Sequence, residues 1–187
     1  MKSSILKAVV MSVSLMVLLS GAQAQNKKKG ETITTKAKLV VTKLKVGEGE
    51  AIDVRGKATY TLTAANSDGS LAGTITYALP DEARQKISEV TGKPLASIPA
   101  SITQADVVAE FQKLTECPVV HLDFKPMDVM VAGAKLHFNK YVLDISDEGK
   151  EINNMVCIIA RQINAARPYR GPVRRINEII NGLEPAN

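Results

Sequence analysis

The chain has 187 residues, with 24 lysines and arginines against 19 aspartates and glutamates, and only two cysteines and two histidines. A basic surplus this small does not argue for nucleic acid. No apolar run approaches the ~20 residues that a membrane-spanning helix requires.

Lys2 and Lys7 form a basic start, Ala8 to Leu19 (AVVMSVSLMVLL) is an apolar run, and Ala22-Gln23-Ala24 is a small-x-small cleavage site. That order reads as a signal peptide over residues 1–24, and so as export to the periplasm or the extracellular space. Cleavage after Ala24 leaves 163 of the 187 residues, one domain's worth of chain with enough length to bury a core. Without Lys2 and Lys7 the balance is 22 basic against 19 acidic side chains, a surplus of three.

Residues 25–38 carry Lys27, Lys28, Lys29, Lys36 and Lys38 and few apolar side chains, the composition of a flexible basic tail. The domain itself is expected over residues 39–184. Leu39 to Val46 reads as a short strand, broken by Gly47-Glu48-Gly49-Glu50. Ile52 to Ala64 alternates apolar and polar residues, and Leu71 to Leu79 resumes that pattern after the turn cluster Asn66 to Ser70. A period of two is that of half-buried strands, so these segments form a three-strand meander.

Pro80-Asp81-Glu82 opens a helix with acidic residues in its first turn, and Gly92 followed by Pro94 ends it. Thr103 to Leu114, with Val107, Val108, Phe111 and Leu114 at helical spacing, is expected as a second helix. Cys117 to Ile145 then carries a second meander with a tight turn at Ala132-Gly133 and interruptions at Lys125-Pro126 and near Asn139-Lys140. At the last of these the apolar phase switches, which signals a bulge. Asp147 to Ala166 and Val173 to Leu183 read as two final helices. The expected fold is α+β, in the order βββααβββαα: an antiparallel sheet of two three-strand meanders with helices on one face. The order repeats, which raises an internal duplication of 39–115 onto 118–183, although no residue-level match supports it.

Two cysteines in an exported chain suggest one disulfide, Cys117–Cys157, which would tie the long helix to the strand it covers. The search for catalysis is negative. There is no Gly-x-Ser-x-Gly, His-Glu-x-x-His, phosphate-binding glycine loop or Cys-x-x-Cys. Two surfaces remain.

If Ala132-Gly133 and Lys125-Pro126 are both two-residue turns, Asp123, Asp128 and His137 form a row across three strands, a ligand set suited to zinc or manganese. Pro126 weakens this row, because its fixed φ excludes the turn type required. The other surface is the cluster Arg161, Arg167, Arg170, Arg174 and Arg175 around Tyr169, whose guanidinium forks suit carboxylate or phosphate. The leading reading is an exported binding or structural-interaction module without catalysis, acting on an anionic ligand or another exported protein. The alternative is a small metal-dependent hydrolase built on Asp123, Asp128 and His137.

Overall fold

A computed structural model describes residues 30–112, 117, 119–146 and 149–183, and these described residues form eight antiparallel strands, three helices and one short 3-10 turn. The expected signal peptide and its cleavage site lie outside these residues. The strands are β1 (Lys38–Val46), β2 (Ile52–Ala65), β3 (Leu71–Ala78), β4 (Ser101–Phe111), β5 (Val119–Phe124), β6 (Met127–Val131), β7 (Ala134–Phe138) and β8 (Tyr141–Ser146). Helix α1 (Asp81–Thr91) lies between β3 and β4, and α2 (Glu151–Asn164) and α3 (Arg170–Ile180) follow β8.

This corrects the expected fold. The strands do not form two meanders under a layer of helices. They form one sheet in the order β6-β7-β1-β2-β3-β4-β5-β8. The expected helix from Thr103 is β4, paired antiparallel with β3 from Leu71↔Ala109 to Ala78↔Ser101. A bulge hid its period of two. The register slips between Gly73↔Val107 and Ile75↔Gln104, and Asp106 takes a φ of 56° there. Beyond the bulge the strand alternates again through Val107, Ala109 and Phe111, and Val108, an outward apolar residue that is 46% exposed, completes with Val107 and Phe111 a spacing that imitates a helix.

The curl of the sheet comes from one bent hairpin. Pairing runs from Val131↔Ala134 to Met127↔Phe138, then from Phe124↔Tyr141 to Val119↔Ser146, without a change of register. β5 with β6, and β7 with β8, are therefore two long strands, each interrupted once. The interruptions, Lys125-Pro126 and Asn139-Lys140, lie opposite each other. At both, the inward set changes phase: Phe124 is followed by Val129 and Val131, and Phe138 by Leu143 and Ile145. Two consecutive outward residues in each strand bend the hairpin. Its β5 part then borders β4, and its β7 part borders β1. Among the described residues β6 and β8 each pair on one side only, which leaves the barrel incomplete.

The helices close the ends. Asn177 of α3 bonds both backbone groups of Ala65 at the end of β2, and Cys157 of α2 is joined to Cys117, just before β5. These helices thus cover the end at the β2–β3 turn. At the other end, Thr91 of α1 approaches Gly133 in the β6–β7 turn. The described part of the expected tail is packed against the barrel. Ile33 and Thr35 are buried, Leu62 N–H donates to Ile33 O at 2.9 Å, and Thr35 N–H to Tyr60 O at 2.8 Å.

Candidate functional site

The barrel lumen is filled. Tyr60, Tyr77, Phe124 and Phe138 are fully buried in it. Tyr60 meets Phe124 edge-on with ring centres 5.0 Å apart, Tyr77 meets Phe138 in the same way at 5.1 Å, and Tyr141 stacks on Phe124 at 4.9 Å. Tyr60 donates its hydroxyl to Leu71 O at 2.9 Å. The Tyr77 hydroxyl shares a bond with Thr42 Oγ1 at 3.1 Å. Burial raises the phenol pKa of Tyr60, Tyr77 and Tyr141, so these rings stay neutral and act as core. A ligand must therefore be sought outside the barrel.

On the outer face of the hairpin, part of the expected row is present. Ala132 and Gly133 have φ of 51° and 92°, the positive pair of a type I′ turn. They set Asp128 opposite His137, with His137 Nδ1 and Asp128 Oδ1 2.7 Å apart. Lys135 Nζ lies 2.7 Å from the other carboxylate oxygen. Hydrogen bonds from Lys135 and then His137 hold the Asp128 carboxyl below its usual pKa. Asp123 is not in this row. Lys125-Pro126 bends the strand without reversing it, so Asp123 faces Val142 on one side and Glu110 on the other, and its Oδ2 pairs with Lys140 at 2.9 Å. Among the described residues, no three His, Cys, Asp or Glu side chains gather to hold a metal ion.

The sequence reading missed the equivalent pair on the other half of the hairpin. His121 lies opposite Asp144, with Nδ1 and Oδ1 2.7 Å apart, and Lys38 Nζ reaches Asp144 Oδ2 at 3.1 Å. Burial raises the Asp144 pKa, but the hydrogen bonds of His121 and Lys38 outweigh it, and the net shift is downward. Counting the Ala132-Gly133 register past Pro126 would have revealed this pair. In both dyads the aspartate holds Nδ1, which orients the ring and fixes the tautomer.

The arginine cluster divides. Arg175 grips Glu151 of α2 with Nε at 2.6 Å and Nη2 at 3.0 Å, and also reaches Glu178 at 3.4 Å. It straps α3 to α2 and is not available to a ligand. Tyr169 donates its hydroxyl to Asp68 O at 3.0 Å and its ring lies over Gly69, so it is structural too. Arg161 and Arg167 are exposed. Arg170 and Arg174 line an open groove of about 550 Å³ along α3, together with Val173, Asn177 and Leu183. Arg174 meets Glu178 only at 3.5 Å and remains mostly exposed. Arg170 has no ion-pair partner among the described residues. Leu183, half exposed at the end of the groove, reads in the sequence only as a helix terminus. Its apolar side chain, off the inward stripe of Ile176 and Ile179, was the available signal.

The molecule is thus a curled antiparallel barrel with a packed lumen and an external, arginine-bearing groove. No protein-family model matches the chain, and comparisons with curated proteins and with solved structures find no match.

Proposed function

We propose that this protein is an exported, non-catalytic binding module whose ligand is a small anionic amphiphile held in the α3 groove. The observation that carries this reading is the groove itself, which places two loosely engaged guanidinium groups beside Val173 and Leu183. Its volume is that of a small-molecule site. Arginine forks suit a carboxylate or phosphate headgroup, and the apolar residues suit a short chain. Export is supported by the leader pattern and the Cys117–Cys157 bond. The hydrolase alternative retains only the Asp128–His137 pair of its three ligands.

Decanoate tests the groove, with decanol as the uncharged control. Decanoate should raise the melting temperature, since a ligand bound only to the native state stabilises it. Decanol should not, and neither ligand should shift the Arg170→Ala/Arg174→Ala variant. Equal shifts with decanol, or an unchanged response in the variant, rule the groove out. Mass spectrometry of the exported chain should find Gln25 at its start; an intact Met1 would count against export.

A further inference from the structure

The outer face of β1 and β2 combines two features that a wet sheet face ordinarily keeps apart. Leu39 and Val41 point outward and are 60% and 41% exposed. Scattered exposed apolar residues are common, but these two are successive outward positions on one strand. Each lies directly opposite a cation on β2, in the pairs Leu39↔Lys57 and Val41↔Arg55. Arg55 and Lys57 have no ion-pair partner among the described residues. Neither does Lys45, which faces Lys135 of β7 across the other edge of β1. Like charges directly opposite on a sheet are destabilising. Lys43 reaches an anion only at 3.7 Å, on Asp53. Asp53 and the turn residues Glu48 and Glu50 lie toward the α1 end of the strands, as do Lys43, Lys45 and Lys135, the last held by Asp128; the cations that stand beside Leu39 and Val41 are Arg55 and Lys57.

We infer that this face docks onto the surface of an anionic phospholipid bilayer. The cations meet lipid phosphates, and Leu39 and Val41 enter the boundary between headgroups and acyl chains. The charge pattern alone would suit any polyanion. The apolar pair selects the bilayer, because a soluble acidic polymer offers it nowhere apolar to go. Outward residues of adjacent strands stand side by side ~4.8 Å apart, so both kinds of contact can be made at once. The face carries no residue of the α3 groove.

Flotation of the exported chain with vesicles tests this docking. Vesicles of phosphatidylcholine and phosphatidylglycerol in equal parts should bind the protein, salt should release it, and phosphatidylcholine alone should not bind it. Arg55→Gln with Lys57→Gln should weaken binding roughly 25-fold, given the attraction of each basic residue near an anionic surface. Leu39→Ser with Val41→Ser should weaken it too. Melting temperatures should show that both variants are folded; if either is not, the single changes Lys57→Gln and Leu39→Ser replace them, each with a proportionate loss. Failure to bind anionic vesicles overturns the proposal, as does binding that both variants retain, which would place it elsewhere on the chain. Binding that needs the charges but not Leu39 and Val41, and that polyglutamate competes away, would assign the face to an acidic polymer and overturn the bilayer.

Discussion

Gly73 leaves room for Tyr60. A Cβ at that position would stand 2.5 Å from the Tyr60 ring and 2.4 Å from Thr61 O, and one at Gly56 would meet Tyr77 in the same way. A glycine under an aromatic ring lets a curved sheet pack its lumen without straightening. Gly73→Ala must displace backbone as well as a ring, so it should cost about 3 kcal/mol and lower the melting temperature by roughly 10 °C. A variant melting within a degree or two of the parent would show that the ring moves freely. In the sequence Gly73 reads only as one more position in an alternating strand. Its role depends on a ring thirteen residues away, which pairing of β2 with β3 brings overhead.

Among the elements, the disulfide and the bent hairpin make the architecture. Cys117 and Cys157 are 40 positions apart in sequence, with Cα atoms 5.9 Å apart, within the range the bond requires. Closing a loop of that length should contribute about 4 kcal/mol by restricting the unfolded chain. Cys117→Ser with Cys157→Ser should therefore lower the denaturant midpoint, and reduction of the parent protein should reproduce the loss. Equal midpoints for oxidised and reduced protein would remove the bond's role. This pairing was readable, since two cysteines leave one choice and α2 must cover the start of β5. The hairpin was half readable. The I′ turn and the phase switch at Asn139-Lys140 are visible in the residues. The matching switch at Lys125-Pro126 reads as a possible reversal, because proline signals a break without saying whether the chain turns or bends.

The whole molecule should lose stability in acid. Asp68, Asp128, Asp144 and Glu151 all have carboxyl groups held below their usual pKa, by bonds from Ser70, Lys135 with His137, His121 with Lys38, and Arg175; at Asp144 these bonds overcome an opposing effect of burial. A carboxylate whose folded pKa is depressed contributes fully above its unfolded value, near 4, and loses that contribution as pH falls through the folded value. Melting temperature should stay level from neutral pH to about 5 and decline below about 4. A curve still level at pH ~3 would mean these contacts are not kept in solution.

Several features follow from the sequence alone because their causes are local. The leader pattern, the alternation of β2 and β3, the start and glycine stop of α1, the two final helices and the Asp128–His137 register each depend on residues close together in the chain. The tertiary structure decided what depends on distant partners. β4 is a strand because β3 offers it a ladder and a bulge at Asp106 absorbs the phase error. Asp123 leaves the expected row because the hairpin bends at Pro126 and continues. Arg175 is withdrawn from ligand binding because Glu151 of another helix holds it, while Arg170 and Arg174 remain over the groove. The curl brings β7 beside β1, so Lys45 faces Lys135, and β1 pairs with β2, so Leu39 faces Lys57. Periodicity assigns a residue to a face, but only the pairing of strands determines what stands opposite it.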